Sequence, residues 1–126
     1  MMAHIDRAYV LIALVLLVVG ELLGLFMGIA NDMRYRSVHV AMVLPGFATL
    51  AIYGFIFRLW PELKSGSLAV AQFWISIVGV IALIVGAYHF AFTGGVAIAG
   101  PASLITIAGA ALLLWLFWTR SAGKSS

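Results

Sequence analysis

The sequence predicts an all-α integral membrane protein, organised as a single up-down four-helix bundle that spans the whole chain, 1–126. Hydrophobic residues make up 65% of the chain and charged residues only 9%, whereas a soluble domain carries about 25% charged residues. The apolar residues also come in long unbroken runs, which excludes a barrel of short alternating strands. This composition excludes a soluble enzyme, a secreted module and a disordered chain.

The first two apolar runs are each long enough for one membrane-spanning helix, which takes about 20 residues. The first run has 24 residues between Arg7 and Asp32 and contains one charge, Glu21. The second run has 21 residues and no charge. These runs predict helices near 8–30 and 36–60.

The remaining apolar run is too long for a single pass. It has 55 residues without a formal charge, and a helix of that length would reach roughly 80 Å. Turn-forming residues interrupt the run at 93–95 (Thr-Gly-Gly) and 100–101 (Gly-Pro). We therefore predict helices near 69–93 and 99–119. Because the connections are short, helices that are neighbours in sequence should pack antiparallel.

The basic residues predict one orientation, because lysine and arginine concentrate on the cytoplasmic side of membrane proteins. Five lie at one end of the predicted bundle and two at the other; the five are Arg7, Arg58, Lys64, Arg120 and Lys124, and the two are Arg34 and Arg36. Both termini are therefore predicted to be cytoplasmic, in the inner (plasma) membrane. The basic residues form no patch, so the net charge of +3 does not indicate nucleic acid. The predicted partner is the lipid bilayer.

Several kinds of chemistry are excluded by residues that the sequence lacks. It contains no cysteine, which excludes disulfides, thiolate metal sites and thiol catalysis. It also lacks a Walker loop, a dinucleotide fingerprint and a zinc-protease motif. Hydrolysis and nucleotide chemistry therefore have no candidate residues.

Glu21 is the first candidate functional residue. It lies roughly 13 Å from the end of its predicted helix, near the middle of the membrane. An isolated carboxylate at that depth is costly or becomes protonated, and intramembrane carboxylates commonly serve proton relays or ion sites. The alternative is a protonated side chain that is hydrogen-bonded to a neighbouring helix.

His39 and His89 are the candidate metal and cofactor ligands. Each is predicted to lie about one helical turn from the outer surface, and imidazole is a good ligand for haem iron, copper or zinc. The sequence leaves open whether the two rings face each other. Arg34 and Arg36 lie just before His39. They are candidates to hold haem propionates by charge-assisted hydrogen bonds, and the alternative is that they are ordinary flanking charges.

The middle of the chain carries a recognisable pattern. The segment 37–61 contains His39 and ends in a Trp-Pro step. It resembles the tenth helix of the catalytic subunit of the haem-copper oxidases, which has a His-x-His pair and an aromatic-Pro step at closely similar spacing. Gln-Phe-Trp at 72–74 resembles the start of that subunit's eleventh helix, and His-Phe with a following Gly at 89–94 resembles its end. The resemblance covers 36–120 and is most specific over 39–94.

The resemblance implies a haem site that is simpler than that of the oxidases. His39 matches the first histidine of the pair, which binds the high-spin haem. Ala41 stands where the second histidine binds the low-spin haem, and Gln72 replaces another histidine. His89 fits the pattern approximately. The family's copper ligands belong to other parts of its larger subunit, so neither a copper site nor oxygen reduction is implied.

The resemblance also implies an oligomer. The catalytic subunit of the family has twelve helices in three quasi-equivalent groups of four, and this chain resembles one such group. A homotrimer would rebuild the twelve-helix ring with closed three-fold symmetry. A homo-oligomer, with a trimer favoured, is therefore expected.

Three functions stay open. The first is a b-type haem protein for electron transfer or binding of a diatomic gas, with His39 as axial ligand. The second is a cofactor-free membrane scaffold or assembly protein. The third is a small proton-coupled transporter that uses Glu21, because the segment 19–24 (Val-Gly-Glu-Leu-Leu-Gly) resembles the first helix of the small multidrug resistance family.

Overall fold

The structure, a computed structural model, describes residues 4–121 as four long helices without a β-strand. The helices are α1 (Ile5–Ala30), α2 (Arg36–Leu59), α3 (Ser67–Thr93) and α4 (Ala99–Ser121). All four are long and apolar enough to cross a membrane. The predicted all-α, four-helix fold is confirmed, and each helix begins and ends within three residues of the predicted position. The tail with Lys124 lies outside the described residues.

Neighbouring helices run antiparallel, as their short connections predict. Between α3 and α4, residues with increasing numbers on α3 contact residues with decreasing numbers on α4: the pairs are Ser76–Gly109, Gly79–Thr106 and Gly86–Ala99. Between α1 and α2 the order is reversed in the same way, in the pairs Val10–Gly54, Leu16–Gly46 and Gly24–His39. The bundle therefore has two ends. The terminal end carries His4, Ser121 and the connection 60–66, and the far end carries the connections 31–35 and 94–98.

The largest buried side chains lie in the half of the bundle nearer the terminal end. Those that are almost completely buried are Tyr9, Leu50, Phe57, Leu63, Gln72 and Leu116. The Tyr9 ring stacks on Phe57, with centroids 6.0 Å apart, and meets Phe73 edge-on at 4.9 Å. The core of the far half is smaller and consists of Val38, Ala41 and Ala87.

Left-handed residues end two of the helices. Asn31 follows α1 with φ 52°, and the next N–H, that of Asp32, donates to the Met27 carbonyl at 3.0 Å. Gly94 follows α3 with φ 72°, a conformation that glycine adopts without steric cost. These caps satisfy carbonyls that a helix end would leave open, and they turn the chain back into the bundle.

Pro45, which the sequence predicts to kink its helix, lies in a π-helical segment, Met42–Thr49. Proline has no N–H, and its ring crowds the carbonyl four residues earlier. The wider π turn relieves this crowding while α2 continues to Leu59. A Cβ at Gly46 would lie 3.0 Å from the Leu16 side chain, so the segment also packs closely on α1.

A single arginine fastens α4 to the connection 60–66. The connection contains a short 3₁₀ helix, Pro61–Lys64. Arg120 donates to the Leu63 carbonyl at 3.0 Å and also to the Ser65 carbonyl. These bonds satisfy carbonyls of the connection and hold the last turn of α4 against it.

Candidate functional site

His39 lies in the first turns of α2, and its imidazole packs against α1. Its N–H donates to the Tyr35 carbonyl at 2.9 Å. A Cβ at Gly24 would lie 2.8 Å from Cε1, 3.1 Å from Nδ1 and 3.5 Å from Nε2 of the ring. The ring therefore occupies space that any larger residue at position 24 would fill. The absence of a side chain at Gly24 is what lets the imidazole pack against α1.

A short hydrogen bond fixes the orientation of this ring. Nδ1 of His39 lies 2.7 Å from the Gly20 carbonyl oxygen. A carbonyl only accepts, so Nδ1 carries a proton, and in the neutral ring Nε2 is then the nitrogen with the lone pair. Metal-bound histidines almost always donate their other ring N–H in this way, which fixes the tautomer and makes the ligand more basic. His39 is thus prepared to act as an Nε2 ligand.

Glu21 lies at the same level of the bundle as the His39 ring. It follows Gly20, whose carbonyl accepts the His39 bond, and it precedes Gly24 by three residues, which places it on the same side of α1. The residue is exposed and lies among exposed apolar side chains that include Leu22 and Leu25. The structure therefore brings Glu21 close to the level of His39 and leaves it on the outer surface of the single chain.

His89 belongs to the C-terminal turn of α3. The Thr93 hydroxyl donates to the His89 carbonyl at 2.9 Å and lies 3.4 Å from Nδ1 of the ring. The Gly95 N–H donates to the same hydroxyl at 3.0 Å. The ring is thus half-buried beside the connection 94–98.

The contact between α2 and α3 turns the two imidazoles away from each other. The Ser37 hydroxyl donates to the Ala87 carbonyl at 3.1 Å, so Ser37 and Ala87 face each other across the contact. His39 is two residues after Ser37, and His89 is two residues after Ala87. Two residues correspond to about 200° around a helix of 3.6 residues per turn, so each histidine points away from the contact. His39 packs on Gly24 of α1 instead. Similar depth therefore does not make the two histidines an axial pair within one chain.

The two arginines before His39 lie at the far end, on the side of α3. The Arg34 guanidinium carbon lies 5.9 Å from the centroid of the Phe92 ring, and the Arg34 N–H donates to Asp32 at 3.0 Å. Arg36 is exposed at one end of an apolar groove of about 410 Å³ that Ala87 and Phe90 also line. Both arginines are at the predicted level, and Arg36 is only three residues from His39.

A buried polar network in the terminal half was not predicted from the sequence. The Tyr9 hydroxyl donates to Oε1 of Gln72 at 2.5 Å, and Nε2 of Gln72 donates to Ser76 Oγ at 3.0 Å and to the Gly109 carbonyl at 3.1 Å. The network links α1, α3 and α4. The resemblance relates Gln72 only to a histidine of the oxidases. A polar residue inside an apolar run was nevertheless a signal of a buried network.

Asp6 is a second buried polar group that sequence reasoning missed. It pairs with Arg58 at 3.2 Å and with Lys64 at 3.6 Å. The signal was available, because an acidic residue at the start of the first apolar run lies at the same predicted end as five of the basic residues.

Among residues 4–121, no group of three or more histidine and acidic side chains is suited to hold a metal ion. A haem needs only one or two imidazoles from the protein, because the porphyrin supplies the other ligands. No family model matches this sequence, and no curated protein or solved structure is detectably similar to it. The function of the protein therefore has to be inferred from the geometry of the site.

Proposed function

We propose that this chain is a multi-pass membrane protein whose terminal end faces the cytoplasm. The support is the four long apolar helices and the many large apolar side chains on the outer surface of the bundle, such as Ile29, Leu104 and Trp118. Four of the six basic residues that the structure describes belong to the terminal end, and Lys124 follows them in the sequence, which is the cytoplasmic bias of membrane proteins.

We infer that the protein binds a b-type haem through Nε2 of His39, for electron transfer or for binding a diatomic gas. The observation that carries this inference is the 2.7 Å hydrogen bond from Nδ1 of His39 to the Gly20 carbonyl. The haem would be held without thioether bonds, because the chain has no cysteine. When bound, it would supply either a one-electron redox centre or an open coordination position.

In this proposal the second axial position is either occupied by a histidine or left open. His89 of a neighbouring protomer would give a bis-histidine electron carrier, whereas an open position would favour gas binding. Arg36 and Arg34, at the far end beside His39, would hold the propionates. Glu21, at the level of the His39 ring, is then a carboxyl group beside the site and a candidate proton donor.

The exposure of Glu21 supports a homo-oligomer. A carboxylate that faces lipid near mid-membrane costs several kcal/mol, and in the single chain Glu21 is exposed. A second copy that covers this side of α1 would remove the cost. We favour the trimer that the resemblance implies, and we expect light scattering of the detergent-purified protein to give a trimer mass. A monomer mass at all protein concentrations would contradict the oligomer.

The same observation favours one alternative, a proton-coupled transporter in which Glu21 exchanges a proton for a lipophilic cation. Such a protein releases protons when the cation is added, and Glu21→Gln would abolish the release. The haem proposal expects no proton release from either form.

An absorption spectrum tests the haem proposal. The detergent-purified protein, made with haem available, is measured oxidised and dithionite-reduced beside His39→Ala, His89→Ala and the control His4→Ala. We expect a Soret band and sharp reduced α and β bands that His39→Ala removes and His4→Ala retains. Loss in His89→Ala as well indicates bis-histidine ligation, whereas retention together with a shift on adding carbon monoxide indicates an open position.

A flat visible spectrum from well-folded protein would refute the haem proposal. The cofactor-free scaffold then becomes the better interpretation, and His39→Ala should affect stability alone. Circular dichroism of each variant shows whether it is folded, which separates loss of haem from loss of structure.

A further inference from the structure

A groove between α1 and α2 opens on the surface of the terminal end. It has a volume of about 330 Å³, and its apolar walls include Val10, Leu11 and Phe55. Leu11 and Phe55 are both about half exposed, at 46% and 56%. The groove runs beside the point where the two helices come closest.

Gly54 explains why the helices come so close here. A Cβ at this position would lie 2.8 Å from the Val10 side chain and 3.0 Å from the Asp6 carbonyl oxygen. Because position 54 has no side chain, the groove stays open there and is bordered by apolar residues such as Val10. A hydrocarbon chain would contact these apolar walls, whereas a compact polar molecule would leave them unused.

The mouth of the groove is positively charged. Arg7 and Arg58 line it, and both are exposed, with 77% of the Arg58 side chain accessible. Asp6 also lines the groove, but it is buried, and its two carboxylate oxygens pair with Arg58 and with Lys64. The charged residues that line the groove are therefore two cations and one anion, which leaves an excess of one positive charge.

The positions of these residues along the helices match the layers of a bilayer. Arg7 is in the first turn of α1 and Arg58 in the last turn of α2, the level at which lipid head groups lie when the helices span the membrane. Val10, Leu11 and Phe55 are about one turn further in. Basic pockets between helices on the cytoplasmic side of membrane proteins recognise anionic lipid head groups.

We propose that this groove binds an anionic phospholipid, with its phosphate between Arg7 and Arg58 and one acyl chain along Val10, Leu11 and Phe55. The proposal rests on the membrane insertion proposed above, and it is independent of haem binding. Neither the groove nor its arginines belong to the His39 site, so the two proposals fail separately.

Native mass spectrometry of the full-length protein in detergent tests the proposal. Dioleoylphosphatidylglycerol and dioleoylphosphatidylcholine have the same tails, so comparing them isolates the head-group charge. Each arginine is expected to contribute about fivefold in affinity for an anionic lipid. We expect preferential retention of phosphatidylglycerol by the wild-type protein and about a fivefold loss in Arg7→Gln.

Arg7→Gln is the informative variant, because it leaves the ion pairs of Asp6 with Arg58 and Lys64 in place. The matched control is Arg34→Gln, which removes the same charge from the far end and should leave lipid retention unchanged. Leu11→Trp, which narrows the groove without changing charge, should weaken retention of phosphatidylglycerol as well.

Three results would overturn the proposal. The first is equal retention of the two lipids by the wild-type protein. The second is retention of phosphatidylglycerol in Arg7→Gln at the wild-type level. The third is complete displacement of the lipid by millimolar inorganic phosphate, which would indicate a site for the free anion.

Discussion

The terminal half of the bundle buries large side chains and a connected polar network, whereas the core of the far half consists of small side chains, and its helices are joined by separate hydrogen bonds from Ser37 and His39. In the terminal half, Tyr9 packs on Phe57 and Phe73 and bonds to Gln72. In the far half, Ser37 bonds to the Ala87 carbonyl. The candidate ligand His39 lies in the far half, where a prosthetic group or a second copy of the chain can contribute contacts. The difference suggests that one half supplies the stability and the other supplies the site.

The largest expected effect comes from emptying the terminal core. Phe57→Ala removes a fully buried ring, and such truncations cost about 3 kcal/mol or more. Val38→Ala, in the far core, removes only two methyl groups and should cost about 1 kcal/mol. The free energy of unfolding, measured by titrating detergent-solubilised protein with SDS, checks both. Equal losses would show that the two halves are equally stabilising.

A medium effect is expected from removing the polar network. Gln72→Leu deletes hydrogen bonds to Tyr9 and to the Gly109 carbonyl, and interhelical hydrogen bonds between membrane helices contribute about 0.6 kcal/mol on average and up to about 1.7. We expect a loss of about 2 kcal/mol, because the bond to Ser76 is lost as well, which makes three hydrogen bonds in all.

The control for this variant is Ser37→Ala, which removes one isolated hydrogen bond of the far half and should cost about 0.6 kcal/mol. The same SDS titration measures it. If Gln72→Leu costs no more than Ser37→Ala, the network contributes little to stability and the contrast between the halves rests on packing alone.

A small effect on stability, with the largest effect on the site, is expected for Gly24→Ala. The added carbon would lie 2.8 Å from Cε1 of His39, so the ring must move and its bond to the Gly20 carbonyl breaks. Overpacking costs about 1–3 kcal/mol, and the better helix propensity of alanine offsets about 1 kcal/mol of this. The net loss of unfolding free energy should be about 1 kcal/mol, while the Nδ1-protonated tautomer and any haem band disappear.

Nitrogen NMR of protein labelled at histidine measures the tautomer without haem. Gly28→Ala is the matched control, because no atom outside its own helix turn lies within 4 Å of the added carbon. It should leave both the tautomer and the absorption spectrum as in the wild-type protein. An unchanged His39 signal in Gly24→Ala would mean that the ring does not pack against Gly24.

The helices and their order could be predicted from the sequence because uncharged runs and turn residues define them directly. The fold needed only the positions of charges such as Arg7 and Lys64 and the glycines near Gly94. Membrane insertion and orientation stay predictions. The place of His39 in the first turns of its helix could also be predicted, since it depends only on where the apolar run begins.

The partners of the site residues could not be predicted, because they depend on how each helix is rotated. The direction of the His39 side chain follows from its packing against Gly24. Nothing in the sequence around Gly24 indicates this contact. The separation of His39 and His89 follows from the Ser37–Ala87 contact, which no pattern in the sequence indicates. The Gln72 network escaped prediction for the same reason.

The π-helical segment in α2 has a consequence for how sequences of this type are compared. A π turn takes in more residues than an α turn, so the residues before Met42 and after Thr49 do not share one continuous helical wheel. The two halves of α2 therefore have separate angular phases, and an insertion or deletion within Met42–Thr49 would rotate His39 relative to Gly24 without disturbing the terminal core.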